Sequence, residues 1–225
     1  MIERPILFSA PMVRALLAGA KTQTRRIAKP VKHPDLGNVY DPGALVLERE
    51  PQHVIERASP YGQPGDRLWV RESFRFPESL DHLSPAAIGE KALSAGYRTA
   101  WCPTQFEADG TRRTDQDWSD FVTPPMPNEP GRLRASIHMP RWASRITLEI
   151  TGIRVERLRD ISELDAISEG APGYEEGFDA PPPDDECEWS YVASFMRLWD
   201  QTNGAGSWEA NPWVWCVSFR RIDAS

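Results

Sequence analysis

Apolar and polar residues alternate through Trp213, Trp215, Val217 and Phe219, which predicts a strand near the end of the sequence. A longer alternating stretch runs through Ile146, Leu148 and Ile150 and resumes at Ile153 and Val155, with Gly152 placed between the runs where a β-bulge would fall. Leu68-Trp69-Val70 with Phe74 gives a third strand signal, entered through the turn sequence Gln63-Pro64-Gly65-Asp66. Helical spacing is equally plain. Val13, Leu16 and Leu17 mark a short amphipathic helix that Ser9 caps, Pro11 opens and Gly19 ends. Asp160-Ile161-Ser162 opens another through Asp165, Ala166 and Glu169 to Gly170, with Ser162 to Asp165 as a variant capping box. Val192, Phe195, Leu198 and Trp199 share one face of a helix over 190–202.

The remaining chain is less regular. Thr22 to Ile27 suits an extended segment or a tight turn leading into a strand. Residues 30–64 are proline-rich and read as a long loop or an inserted hairpin. Pro85 to Leu93 reads as a helix, Tyr97 to Trp101 as a strand and Thr123 to Gly131 as a proline-rich loop. Strands and helices interleave without a βαβ rhythm, and neither a GxGxxG run nor a P-loop occurs. An α+β barrel in a single domain, residues 1–225, with insertions decorating its core is the expectation.

Composition narrows the function classes. The 225 residues are 40 % apolar, enough for a folded core. No run approaches the ~20 apolar residues of a membrane span, and the first residues lack the apolar core of a signal peptide, so a cytoplasmic protein is expected. Cys102, Cys187 and Cys216 lie far apart, as do the four histidines, and no ligand spacing appears. Neither a metal nor another cofactor is expected. Net charge is −7, but its distribution is uneven. From Arg4 to Pro34 there are seven basic residues and no acid, and a second basic stretch runs from Arg132 to Arg159. Asp160 to Asp200 holds twelve acids against the single base Arg197. An acidic chain gains little from general phosphate attraction, but a local basic face can hold one nucleotide or a short strand. The acidic, proline-rich run at 172–188 has the makings of a loop that orders on a protein partner.

The densest chemistry lies in Gly19-Ala20-Lys21-Thr22-Gln23-Thr24-Arg25-Arg26. A lysine pocketed beside arginines is disfavoured as an ammonium and so moves toward use as a base, and a threonine hydroxyl needs such a base to act as a nucleophile. The same residues also suit a solvated strand end, and spacing alone does not choose between these.

The run Gly19-x-Lys21-Thr22-x-Thr24-x-Arg26 resembles the signature of the ASCH family, small barrels related to the PUA RNA-binding fold. Blocks that follow in the same order strengthen the resemblance: Pro64-Gly65-Asp66-Arg67-Leu68-Trp69-Val70-Arg71-Glu72, then Ile146 to Gly170, then Phe195 to Phe219. Ile137-His138-Met139-Pro140-Arg141-Trp142 and Asn203-Gly204-Ala205-Gly206-Ser207-Trp208 resemble the larger ASCH-type proteins of phages and prophages. The resemblance implies a PUA-like, partly open β-barrel with flanking helices and inserted loops at about 32–63, 77–135 and 171–189. It also implies a pocket for RNA or a modified nucleobase or nucleoside. Some small members are amidohydrolases that deacetylate acetylated cytidine with a lysine, a threonine and a glutamate, which fall by position on Lys21, Thr24 and Glu169. Others are proposed to bind or cleave RNA. A non-catalytic phage or prophage accessory protein that binds another protein is the further alternative. Around the candidate catalytic trio, Thr22, Arg26, Glu72, Arg141, Arg145 and Trp208 are candidates for substrate binding. Arg141 and Arg145, a helical turn apart, could clamp a phosphate, and Trp208, in a glycine-rich loop, could stack on a base.

Overall fold

The computed structural model describes residues 1–113, 130–173 and 190–222. In chain order come β1 (Glu3–Leu7), α1 (Ala10–Leu17), β2 (Gln23–Ile27), β3 (Val31–Lys32) and β4 (Val39–Tyr40). Two short helices follow, α2 (Pro42–Leu47) and α3 (Gln52–Ala58), then β5 (Arg67–Arg71) and β6 (Phe74–Arg75). Next are α4 (Pro85–Ser94), β7 (Thr104–Phe106), β8 (Arg112–Arg113) and the long β9 (Thr147–Arg157). Helices α5 (Glu163–Ser168) and α6 (Tyr191–Asn203) lead into β10 (Trp213–Ile222).

Helices and strands are mixed as the α+β expectation requires. The strands form sheets of order β1-β5-β9-β10-β2, β3-β4 and β6-β7-β8, and among the described residues none of them closes into a barrel. Local chemistry sets the element ends. Ser162 and Ser190 accept the backbone N–H of Asp165 and Ala193, capping α5 and α6. Ser9 contributes its carbonyl to Val13, and Gly19, at φ +76°, lets the chain leave α1 in a left-handed turn that residues with a Cβ rarely adopt. β9 is one continuous strand whose buried positions switch from Leu148 and Ile150 to Ile153 and Val155 across Gly152. Tyr97 to Trp101, expected as a strand, is irregular; its two rings stack at 5.9 Å, and the strand falls instead at Thr104–Phe106. Residues 30–64 hold the β3–β4 hairpin and two helices, not a plain loop.

The chain divides into two compact units. The first comprises Met1–Ile2, Ala15–Arg67 and Glu149–Arg221. Its core packs Leu158, Ile161, Ala166, Phe195, Trp199, Trp208, Val214 and Cys216, so the helical stripe of α6 and every second residue of β10 meet as their periodicities dictate. The second unit comprises Glu3–Arg14, Leu68–Leu148 and Ile222–Ser225, and is built on Phe74, Phe76, Leu80, Ile88, Cys102, Phe106 and Met139. The segment at 32–63 belongs to the first unit, and the described residues of 77–135 belong to the second. That at 171–189 lies outside the described residues except for 171–173. Among the described residues no helix is long and apolar enough to cross a membrane.

Candidate functional site

The end of α1 fixes the backbone of Lys21. The Ala15 carbonyl accepts from both Ala20 and Lys21, at 2.9 and 3.1 Å. The next residue is tied to α5, Thr22 N–H donating to the Ser168 carbonyl at 2.8 Å. From there β2 runs antiparallel to β10 with Thr24 opposite Val217, Arg25 opposite Cys216 and Arg26 opposite Trp215. Gly170 allows α5 to come this close. A Cβ there would lie 3.0 Å from that of Ala15 and 3.3 Å from that of Lys21, and the residue sits at φ +77°. The neighbouring Glu169 thereby reaches Lys21 with both its backbone and its side chain.

Lys21 Nζ donates to the Glu169 carbonyl and to Glu169 Oε2, each at 2.7 Å. The other carboxylate oxygen, Oε1, accepts from Arg25 at 3.2 Å. The Lys21 and Arg25 side chains are 0 % exposed and that of Glu169 is 3 % exposed, so the three charges meet out of water. Arg25 is held by further partners: Gln23 Oε1 at 2.6 Å, Glu156 Oε1 at 2.5 Å and Asp165 Oδ2 at 3.2 Å. Arg154 closes the network on the same two acids, at 2.8 Å from Glu156 and 2.9 Å from Asp165. Burial lowers the pKa of Lys21 below its ordinary 10.5; Glu169 opposes this, and the charges of Arg26 and Arg25 add to it. Glu156 and Asp165 are pushed up by burial but end below the usual carboxylate range because Arg154 and Arg25 face them. The cluster therefore joins stable carboxylates to one cation that gives up its proton more readily than a free lysine.

The structure thus brings Lys21 and Glu169 together. It does not join Thr24 to them. Thr24 is 1 % exposed, and strand alternation turns it to the opposite face of β2 from Arg25. Among the described residues its hydroxyl makes no hydrogen bond with Lys21 or Glu169. Arg26 shares the Thr24 face and is half-buried. Its charge reaches the Tyr61 phenol, whose pKa burial raises and Arg26 pulls back. Trp215, the cross-strand partner of Arg26, is 1 % exposed, and its indole N–H has no partner among the described residues. Thr22 is exposed and held by its backbone alone.

The remaining candidates lie elsewhere and are occupied. Arg145 forks onto Glu72 at 2.8 and 2.9 Å and reaches Asp109 at 2.8 Å, its guanidinium 4.0 Å over the Phe106 ring. Glu72 is buried and belongs, with Arg145, to the second unit. Arg141 pairs with Glu3 at 2.8 Å. The two forks expected to clamp a phosphate, those of Arg141 and Arg145, both hold carboxylates in this structure. Trp208, expected to stack on a base, is 7 % exposed and packs edge-on against Phe195 within the core, so its ring is not a stacking platform. The acidic run proposed to meet a protein partner lies outside the described residues beyond Gly173.

Sequence reasoning missed the deep partners of the site, Arg25, Glu156, Asp165 and Arg154. Alternation along β2 puts Gln23 and Arg25 on one face, but the acids that Arg25 meets, Glu156 and Glu169, lie 131 and 144 residues away in the chain. Compared with protein-family models, with curated proteins and with solved structures, the chain finds no match.

Proposed function

We propose that the protein recognises a nucleobase or nucleoside, free or within a short RNA, on the face of β2 and β10 that carries Thr24, Arg26 and Trp215. One observation supports this reading above the others. The Trp215 indole N–H is buried without a partner among the described residues, on the sheet face that also carries Thr24 and Arg26. A buried donor left unpaired costs about 1–3 kcal/mol, which a ligand acceptor recovers. A planar heterocycle with ring carbonyls and an exocyclic amine has the complementary set of acceptors and donors. The same reading takes the fold as a PUA-like, ASCH-type, partly open barrel, on the strength of the motif order and the mixed α and β content, and takes the protein as cytoplasmic. Tryptophan fluorescence titration with cytidine, acetylated cytidine and single-stranded RNA at two salt concentrations tests it. Binding of RNA that weakens with salt supports the polymer, binding of nucleosides alone supports the small ligand, and no binding of either removes the reading.

A second reading, amide hydrolysis on acylated cytidine, is favoured by the lowered proton affinity of Lys21 and its 2.7 Å bond to Glu169. In that reaction the Lys21 amine takes the Thr24 hydroxyl proton, and the hydroxyl oxygen bonds to the amide carbonyl carbon. The ammonium then returns the proton to the leaving amine as the C–N bond breaks, and water frees the acyl group as its acid. The burial of Thr24 on the other face of β2 from Arg25 counts against this reading and keeps it second. Release of cytidine from acetylated cytidine, abolished by Lys21→Ala, is the required result.

A further inference from the structure

Between β2 and α5 the carboxylate of Glu169 is divided between two cations. Arg25 takes Oε1 at 3.2 Å and Lys21 takes Oε2 at 2.7 Å. Arg25 cannot rotate away from this task easily. Its other edge is anchored on Glu156 and Asp165, its NH1 also donates to Gln23, and its guanidinium lies 5.9 Å from the Phe195 ring centroid. The charged groups facing Lys21 are Glu169, Arg26 and Arg25. Those facing Arg25 are Glu169, Glu156 and Asp165, together with the Cys216 thiol across the strand pair. Glu156 and Asp165 are shared with Arg154. Lys21, Arg25, Arg26 and Arg154 therefore stand against Glu156, Asp165 and Glu169, and the set becomes neutral when Lys21 loses its proton.

We propose that Arg25 is the positioning residue of this site: by holding one oxygen of Glu169 it fixes the other on Lys21. The proposal rests on the reading of Lys21 and Glu169 as the working pair, and its test needs neither ligand nor turnover. It differs from a purely structural role for Arg25 in one respect. A structural arginine bears on stability alone, whereas this one, through Glu169, also bears on the protonation of a neighbour. Without Arg25, both oxygens of Glu169 turn to Lys21 and one repelling cation is gone, so Lys21 keeps its proton to higher pH.

The chain has four lysines, Lys21, Lys29, Lys32 and Lys91, so NMR of protein labelled with ¹⁵N-lysine gives four side-chain signals, assigned by a Lys21→Arg variant. The titration midpoint of Lys21 is the readout. Arg25→Gln is expected to raise it, and Arg25→Lys, which keeps the charge, to leave it much closer to wild type. An unchanged or lowered midpoint in folded Arg25→Gln overturns the proposal, as does an equal shift in Arg25→Lys. Should Arg25→Gln lose its dispersed spectrum, Glu156→Gln decides. It removes one anchor and leaves Arg25 to bind Glu169 more tightly, so the Lys21 midpoint must fall; a rise or no change overturns the assignment. Normal Lys21 titration shifts with no nucleoside binding would sink the proposed function and leave Arg25 as assigned. Nucleoside binding with no shift would do the reverse.

Discussion

Removing the Glu169 charge should cost the fold far more than removing the Lys21 charge, although each change breaks the same ion pair. In Glu169→Gln, Lys21 and Arg25 both lose their shared anion while remaining 0 % exposed. At separations of 2.7 and 3.2 Å and an effective dielectric of about 20, the two attractions are about 6 and 5 kcal/mol. The cost of taking the ions out of water offsets most of that in the intact pair, but leaving a buried charge uncompensated still costs about 3–5 kcal/mol. In Lys21→Met the carboxylate keeps Arg25, so the loss is closer to that of a hydrogen bond, about 1 kcal/mol. With a urea m-value of about 2–3 kcal/mol/M for a chain of this size, the unfolding midpoint should fall by about 1.5 M in Glu169→Gln and by under about 0.5 M in Lys21→Met. The Lys21 pKa lies below 10.5 in the folded protein, so in the window up to that value the unfolded chain binds more protons than the native one and stability rises with pH. The Glu169→Gln penalty should therefore shrink as pH rises, because Lys21, the cation left without its carboxylate while Arg25 keeps Glu156 and Asp165, becomes an amine. Equal destabilisation by the two variants, or a penalty indifferent to pH, would refute the shared-carboxylate account.

Trp208→Ala should destabilise the first unit by about 3–5 kcal/mol through the cavity it opens against Phe195 and leave nucleoside affinity unchanged, as denaturation and titration of the same preparation would show. Burial pushes Asp109 up, but hydrogen bonds from Arg145 and Thr111 hold its carboxyl at about 2 against an ordinary 3.8. The advantage of wild type over Asp109→Asn should be full above that ordinary value and vanish as pH falls through the folded one, followed by acid unfolding. Lys21→Ala and Thr24→Ala should each remove any cytidine release from acetylated cytidine, with the double variant little worse, since members of one catalytic unit are not additive.

Much of the fold is written in local periodicity. The alternation at Trp213 to Phe219 and the 3.6-residue spacing of Phe195 and Trp199 are set by neighbours in sequence, and both elements form where they are expected. The aromatic pair Tyr97 and Trp101 misleads because β-propensity describes a side chain that fits a half-buried surface, a demand that ring stacking also meets. The site divides in the same way. Lys21 is singled out by its motif, and Glu169 through family resemblance, but their geometry depends on the close approach at Gly170. Arg145 reads as a free phosphate ligand because Glu72 and Asp109, which occupy it, lie 73 and 36 residues away. Trp208, among glycines and polar residues, carries no local mark of the core it joins.

The central claim is that the Thr24, Arg26 and Trp215 face binds a nucleobase, and the direct measurement is nucleoside affinity in wild type and two variants. Isothermal titration with cytidine and acetylated cytidine, on wild type, Thr24→Val and Arg26→Gln, reads it without any assumption of turnover. Each variant keeps approximate volume and removes a donor, so each should weaken binding by about 1–3 kcal/mol, roughly 5- to 150-fold, with the fold intact by circular dichroism. Wild-type binding that survives both substitutions unchanged would place the ligand elsewhere and contradict the account.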